Sequence, residues 1–249
     1  SQKTLLDFFD THLKTDKEVN KTSSFKHKKI WNLSLKKWDL IEEDKIHYYK
    51  FGLESDGTAN VEIIDGSLLL NSSGSGCFSI VHDPWRPFPA DGGHLGPNPG
   101  LFDRYIFDKR LDVGIFQTNS FQQDLQLSGI PILETTVKSD RKSFDICLAL
   151  SLVNEQDKTV YQFSTGFLRV KNSQIDEKCD CKIAMHPTNI TILKGTKLRL
   201  SISAAAYPAI GVNSGFGDDM LGAPTINHNI ITLNFELNKT FMKMTPFFN

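Results

Sequence analysis

The residues that could supply a catalytic nucleophile are serines, and their spacing decides whether one could react. A hydrolase of the α/β type carries its reactive serine in a G-x-S-x-G motif at a sharp strand-to-helix turn, which exposes the hydroxyl group. The 249-residue sequence contains no such motif. Its nearest pattern, SSGSG at 72–76, lies between two predicted strands and is typical of a flexible turn. The sequence therefore predicts no catalytic residue in this chain.

Histidines and paired acids are the candidate bases and metal ligands. No histidine takes part in an H-x-H, H-x-x-H or H-E-x-x-H pattern, so the spacing gives no metal signature. His82 and His94 each begin a loop, where a histidine either serves a site or hydrogen-bonds to the backbone. Asp218 and Asp219 lack the alternating acids and distal glutamate of a calcium loop. The remaining histidines are His12, His27, His47, His186 and His228.

The four cysteines indicate free thiols. Cys179 and Cys181 form a C-x-C, but structural zinc takes four ligands and no second cysteine or histidine pair accompanies them. Cys77 and Cys147 lie in apolar, strand-like runs, where a free thiol behaves as a small hydrophobic group. Neither a metal nor any other cofactor is predicted. Reduced thiols favour a cytoplasmic location.

The charge balance excludes several classes of partner. The chain carries 28 Lys plus Arg against 29 Asp plus Glu, a net charge of −1. A nearly neutral chain offers no field that would hold nucleic acid or an anionic membrane surface. No apolar run reaches the roughly 18–20 residues that span a bilayer. The sequence predicts no nucleic-acid partner and no membrane association, and it leaves the oligomeric state open.

The elements that must position these residues are strands. Alternating apolar and polar residues, as in KLRLSIS at 197–203, are typical of a half-buried antiparallel strand. No interleaved helices of 10–15 residues occur, which argues against a parallel α/β fold. We therefore predict an all-β jelly-roll sandwich. The predicted strands are 45–51, 67–71, 77–82, 112–118, 124–128, 132–138, 143–153, 159–170, 182–192, 197–205 and 228–236.

Two boundaries and two long loops organise the chain. Residues 4–14 place Leu5, Phe8, Phe9 and Leu13 on one face of a short helix. Polar residues 15–29 are predicted to be a linker, which divides the chain into 1–29 and a sandwich domain at 30–249. Two stretches rich in glycine and proline, 83–108 and 207–225, interrupt the strands. Long ordered loops are usually functional.

The first loop carries a specific resemblance. Residues 83–93, DPWRPFPADGG, resemble the D-P-x-x-P-x-P-x-x-G-G signature of the C-terminal domain of X-Pro dipeptidyl-peptidases, cocaine esterase and related CocE/NonD acyl esterases. Further elements follow in register over about residues 45–235. They are Gly96-Pro97, Asp103-Arg104, Arg110-Leu111-Asp112-Val113 with Phe116-Gln117-Thr118, the strand and glycine at 124–129, Gly166-Phe167-Leu168-Arg169, residues 195–200 and Tyr207-Pro208 with Asn213. Thr196 stands where the family usually has histidine.

The resemblance implies a fold and a set of partners. It implies a galactose-binding-like jelly roll that packs on an N-terminal α/β-hydrolase domain of the same protein. The catalytic Ser, Asp and His would all precede Ser1, and 1–29 would be the end of that domain and a linker. A small ester, amide or peptide substrate would be reached through the hydrolase domain.

The resemblance also implies which residues approach the substrate cleft or the partner domain. These are Gly92, Gly93, His94 and Leu95 after the proline-rich turn, with Trp85, Phe88, Phe102 and Tyr105 as candidate interface aromatics. The double glycine alternatively only permits a tight turn, and each aromatic alternatively belongs to the sandwich core.

Two functional hypotheses remain from the sequence. The first is a non-catalytic accessory domain that shapes the cleft of a serine hydrolase, a role compatible with a purely structural or oligomerisation domain. The second is a free-standing jelly-roll module that binds a ligand such as carbohydrate. The three tryptophans are not clustered along the sequence, which weakens the second hypothesis.

Overall fold

The fold is all-β, as predicted. The computed structural model describes residues 6, 9, 28–41, 49–93, 98–154, 156, 158–216 and 228–245. Within the described part of the first long loop, residues Phe107–Lys109 form a 3₁₀ turn. The strands are β1 (Lys28–Asn32), β2 (Lys37–Ile41), β3 (Lys50–Ser55), β4 (Ser67–Leu70), β5 (Ser75–His82), β6 (Phe102–Asp103), β7 (Val113–Gln117), β8 (Leu125–Ser139), β9 (Phe144–Asn154), β10 (Thr159–Val170), β11 (Cys179–Ala184), β12 (Thr188–Ile192), β13 (Lys197–Ser203) and β14 (Ile231–Thr245).

One curled, mixed sheet of twelve strands forms the sandwich. Its order is β11-β8-β14-β5-β3-β4-β7-β13-β9-β10-β6, and β12 pairs with β8. Most pairs are antiparallel, whereas β3 with β5 and β4 with β7 are parallel. The order closes on itself near its two ends, where Gly166 of β10, the last strand but one, bridges to Met185, the residue after β11. The sheet therefore folds over on itself and encloses one main core.

The folded sheet forms two layers, and Phe78 of β5 shows how they contact each other. On its own layer it stacks on Phe235 of β14, with ring centroids 4.6 Å apart. Across the core its ring meets Phe116 of β7 edge-on at 5.0 Å. Gly114 of β7 makes room for it, because a Cβ atom there would lie 2.3 Å from the Phe78 ring. All three phenylalanines are buried.

Several strand boundaries differ from prediction. Strand β3 ends at Ser55 and not at the predicted residue 51. The predicted strand at 182–192 is two strands, because Pro187 has no N–H for the ladder and separates β11 from β12. The predicted strands at 124–128 and 132–138 are one long β8. The last strand does not end at 236. Its pairing with β8 shifts between Glu236 and Phe241 and then continues to Thr245.

A hairpin occupies a segment for which the sequence predicted no strand. Strands β1 and β2 pair with Trp31 opposite Trp38. The hairpin docks on the sheet through polar contacts, since Asp39 accepts a hydrogen bond from Asn189 at 3.1 Å and the Asn32 side chain donates to the Thr191 hydroxyl at 2.9 Å. Polar docking gives no apolar alternation, which is why the sequence predicted no strand here.

The N-terminal predictions stay predictions. The helix at 4–14 lies outside the described residues except for Leu6 and Phe9, whose side chains are exposed. Most of the linker at 15–29 also lies outside them. No helix in the part of the chain that the structure describes is long and apolar enough to cross a membrane.

Candidate functional site

The two long loops lie side by side at one end of the sandwich. Pro89 of the first loop and Tyr207 of the second form an isolated parallel bridge. The Ala90 amide donates to the Tyr207 carbonyl at 2.7 Å, and the Tyr207 amide donates to the Phe88 carbonyl at 2.9 Å. These backbone hydrogen bonds join the two loops into one surface, so a change in the position of one loop also shifts the other.

The R-x-D motif fixes the start of the first loop. The Arg110 guanidinium donates two hydrogen bonds to the Asp112 carboxylate, at 2.8 and 2.6 Å. Its Nη2 also donates to the carbonyl of Arg86 at 2.7 Å. The Asp83 side chain accepts from the Trp85 amide at 3.0 Å and so closes the first turn of the loop. These motif residues are structural ties between loop and sheet.

The G-x-x-R motif fixes the second loop in the same way. Arg169 of β10 binds the Asp145 carboxylate with two hydrogen bonds of 2.7 and 2.6 Å. Its Nη2 also donates to the Gly211 carbonyl at 2.5 Å. The Asn213 side chain donates to Asp145 at 2.8 Å. Because Asp145 is buried, this paired geometry holds the second loop against β9 and β10.

A buried charge network lies beneath the first loop. Asp108 accepts hydrogen bonds from Nε of Arg104 at 3.2 Å, Nη1 of Arg199 at 3.0 Å and the Ser201 hydroxyl at 3.1 Å. Nη1 of Arg104 also donates to the Gln162 side chain at 2.7 Å. The side chains of Arg104, Asp108 and Arg199 are each at most 7% exposed. The Asp108 carboxylate thus forms ion pairs with two buried guanidinium groups.

The double glycine has a conformation that other residues adopt poorly. Gly92 and Gly93 have φ angles of +70° and +68°. A Cβ atom at Gly92 would lie 2.3 Å from Cβ of Phe102, whereas one at Gly93 would meet only Thr165 and Gln162 side-chain atoms beyond 3.1 Å. The Gly93 amide and carbonyl pair with Gly100. Glycine is required here by the turn, whatever else the loop contacts.

The predicted contact residues fall into three groups. Trp85 is 51% exposed, so its ring is available to a partner. Phe88 is 2% exposed and packs in a small core with Val113, Ile115 and Ala205. His94 and Leu95 lie outside the described residues.

Several exposed apolar side chains around the loops were not predicted. Ile106 is 75% exposed, Leu111 66%, Leu101 57% and Tyr207 50%. Phe102 and Tyr105, the other two predicted interface aromatics, are half-buried. Periodicity could not find the exposed residues, because they belong to irregular segments where no strand phase indicates which side chains face outward.

A cavity lies between the two loops. Its volume is about 110 Å³, and it is lined by residues 88–92, by the 203–210 segment and by β9 and β10. Arg104 and Gln162 are among its polar lining residues, and Cys147 and Phe88 are among the others. Burial raises the pKa of the Cys147 thiol well above its ordinary value, so this thiol stays uncharged. The cavity was not foreseen from the sequence.

The other candidate groups form no catalytic or metal site in the described part of the chain. Residues 72–74 lie between β4 and β5, as predicted, whereas Ser75 and Gly76 already belong to β5. Sγ of Cys179 and Sγ of Cys181 are 3.7 Å apart, and burial together with Cys179 raises the Cys181 pKa to about 12. No cluster of three His, Cys, Asp or Glu suited to a metal ion occurs among those residues. Thr196 lies at the end of β13 opposite to the cavity.

His82 is buried at the end of β5, and its pKa is lowered. Burial is the main cause, and the carboxylates of Asp145, Asp112 and Asp83 offset part of it. The unfolded chain therefore binds a proton below about pH 6.5 that the folded chain binds less readily.

We expect stability to be fully present above about pH 6.5 and to fall as the pH drops below it. The measurement is the melting temperature at pH 7.5 and pH 5.5, on the wild type and on His82→Gln. The melting temperature of the variant should fall less between pH 7.5 and pH 5.5 than that of the wild type. Equal losses in both proteins would show that His82 does not cause the dependence.

Comparison with known proteins gives consistent likenesses. The family model described as X-Pro dipeptidyl-peptidase C-terminal non-catalytic domain matches residues 42–237. No curated protein matches the sequence. Among solved structures, an aminopeptidase from the marine sediment archaeon Thaumarchaeota archaeon aligns with a TM-score of 0.74 and 15% identity, over 98% of this chain and 43% of its own.

Two further structures show the same fold. An α-amino acid ester hydrolase aligns with a TM-score of 0.70 and 15% identity, over 88% of this chain and 40% of its own. A CocE/NonD family hydrolase from Staphylococcus aureus aligns with a TM-score of 0.56 and 14% identity, over 98% of this chain and 45% of its own. The present chain thus spans less than half the length of each of these three proteins.

Proposed function

This chain belongs to the family of X-Pro dipeptidyl-peptidase C-terminal non-catalytic domains, and we propose that it packs on an N-terminal α/β-hydrolase domain of the same protein and helps to shape its substrate cleft. Residues 30–249 are the accessory domain under this proposal, and 1–29 end the hydrolase domain and link the two. The catalytic groups belong to the hydrolase domain, which acts on a small ester, amide or Xaa-Pro peptide.

The observation that carries the proposal is the loop surface. Two long loops are joined to each other by backbone hydrogen bonds and fastened to the sheet by Arg110–Asp112 and Arg169–Asp145. Loops fastened in this way, with Trp85 and Ile106 exposed on the first loop and Leu111 exposed just after it, are suited to contact with another domain, because exposed apolar side chains are common at interaction surfaces. Gly92 and Gly93, with His94 and Leu95 after them, are the segment proposed to approach the substrate.

Trp85 gives a direct test in the full-length protein. Replacing Trp85 with alanine should lower kcat/KM for p-nitrophenyl butyrate or Ala-Pro-anilide about tenfold, since a tryptophan at the centre of an interface commonly contributes more than 1 kcal/mol. The melting temperature of the isolated 249-residue chain should stay unchanged, because the side chain is half-exposed and packs little within this domain.

Leu193→Ala is the matched control. Leu193 is 48% exposed, close to the exposure of Trp85, but lies at the β12–β13 turn at the opposite end of β13 from the cavity. It should leave kcat/KM within about twofold of the wild type. Equal kinetics for the Trp85 and Leu193 variants would remove Trp85 from the proposed interface.

One observation favours the second hypothesis, a carbohydrate-binding module. Trp31 and Trp38, apart in sequence, are neighbours on the β1–β2 hairpin and are 42% and 64% exposed. This corrects the sequence-based view that the tryptophans are not clustered. Their rings meet edge-on at 72°, however, and do not form one flat platform for a sugar. Retention on a polysaccharide affinity gel that Trp38→Ala abolishes would support this hypothesis.

A further inference from the structure

The cavity between the loops has the size of a small-molecule site. Its volume is about 110 Å³. An engineered apolar cavity of roughly 150 Å³ takes up benzene, so this one accommodates a molecule of about four to six non-hydrogen atoms. Side chains and backbone of the two long loops, β9 and β10 form its walls.

Arg104 offers an unused hydrogen-bond donor to this cavity. It lines the cavity and is 5% exposed. Its Nε donates to Asp108 and its Nη1 to Gln162. No hydrogen bond from its Nη2 is formed with any described residue. A guanidinium group carries five donors in a fixed fork, so this Nη2 can donate to a ligand or water that enters the cavity.

Arg104 is the arginine of the described lining, and it shares the Asp108 carboxylate with Arg199. Asp91 also lines the cavity, and its Oδ1 accepts from the Asn98 side chain at 3.0 Å, so the arginine and the aspartate of the lining balance in charge. A guanidinium group makes its strongest hydrogen bonds to a carboxylate, so a ligand carboxylate is the group best matched to this donor.

Apolar side chains form much of the remaining lining of the cavity. Phe88, Ala149, Ala205 and Ile210 line the cavity beside Arg104. We propose that the cavity binds a short-chain carboxylate, such as propionate or butyrate, whose oxygens accept hydrogen bonds from Nη2 of Arg104 while its alkyl chain lies on these residues. This site goes beyond the proposed function, because it involves no group of a hydrolase domain and stands or falls independently of it.

The test is an NMR titration of the isolated chain at constant ionic strength. Sodium propionate should give saturable shifts with a Kd on the order of 1 mM, a modest affinity for a ligand of about five heavy atoms. Propionamide, a neutral molecule of the same size, should bind at least about tenfold more weakly, because it lacks the charge that Arg104 pairs with. Equal binding of the two, or no saturable shift with propionate, would overturn the proposal.

Two kinds of variant test separately the charge of Arg104 and the volume of the cavity. Arg104→Gln should lose propionate binding, whereas Lys182→Gln, at an exposed lysine of β11 that does not line the cavity, should keep it. Because Arg104 also supports Asp108, its loss could unfold the chain. Ala149→Leu fills the cavity with three extra carbon atoms and leaves the charge network intact, so it should abolish binding in a folded protein. Wild-type affinity in Ala149→Leu would refute the cavity as the site.

Discussion

Asp108→Asn should lower the melting temperature of the chain by about 6 to 20 °C. Removing one partner of a buried ion pair typically costs about 3–5 kcal/mol, and in a chain of this size each kcal/mol corresponds to about 2–4 °C. Asp108 is the only carboxylate in hydrogen-bond contact with both Arg104 and Arg199 among the described residues, and its side chain is 1% exposed. Its loss leaves two buried guanidinium groups without a counter-charge.

Glu236→Gln is the matched control for this prediction. Glu236 pairs with Lys178 at 2.8 Å on the surface, where the lysine side chain is 53% exposed. The same acid-to-amide change there should alter stability by at most about 1 kcal/mol. Thermal unfolding monitored by circular dichroism measures both variants. Similar melting temperatures for the two variants would contradict the assigned role of Asp108.

The second large effect concerns the contact between the two layers. Phe78→Ala should cost about 3–5 kcal/mol, because it removes a buried ring that packs on Phe235 and Phe116 and leaves a cavity beside Gly114. The measurement is the free energy of unfolding from urea denaturation. Phe216→Ala, at a ring that is 43% exposed, should cost less than about 1 kcal/mol. If both variants cost the same, Phe78 does not join the layers.

The sequence predicted the strands well where apolar and polar residues alternate. The alternation in 197–203 correctly gave the strand β13 but not its wet face, because Arg199 and Ser201 of the polar face are buried and bind Asp108. The predicted break after residue 71 correctly separated β4 from β5, although β5 begins at Ser75, inside the predicted turn. The sequence did not predict the strands that dock on the sheet through polar side chains. The β1–β2 hairpin is held by Asn32, Asp39 and Asn189, whose side chains resemble those of a solvated loop until their partners are known.

The site was predictable only in part. Motif spacing located the two loops and the double glycine, since these features are local in sequence. The ion network was not foreseen, because Asp108 and Arg199 are 91 residues apart and no spacing rule joins them. The cavity depends on this network and on the loop bridge between Pro89 and Tyr207, so it too appears only in three dimensions.

The motif residues have clear structural roles. Arg110, Asp112 and Arg169 fasten the loops to the sheet through paired hydrogen bonds. In the structure, Arg110 binds Asp112, Arg169 binds Asp145, and each arginine also donates to a backbone carbonyl of a loop.

The central claim is that this chain is non-catalytic and serves a hydrolase domain encoded upstream of Ser1. The most direct measurement is fluorophosphonate labelling of the full-length protein from its natural reading frame, with the adduct located by mass spectrometry. We expect one labelled serine, on the N-terminal side of Ser1, and no label in residues 1–249. A stoichiometric adduct on a serine of this chain, or no adduct anywhere in the full-length protein, would contradict the account.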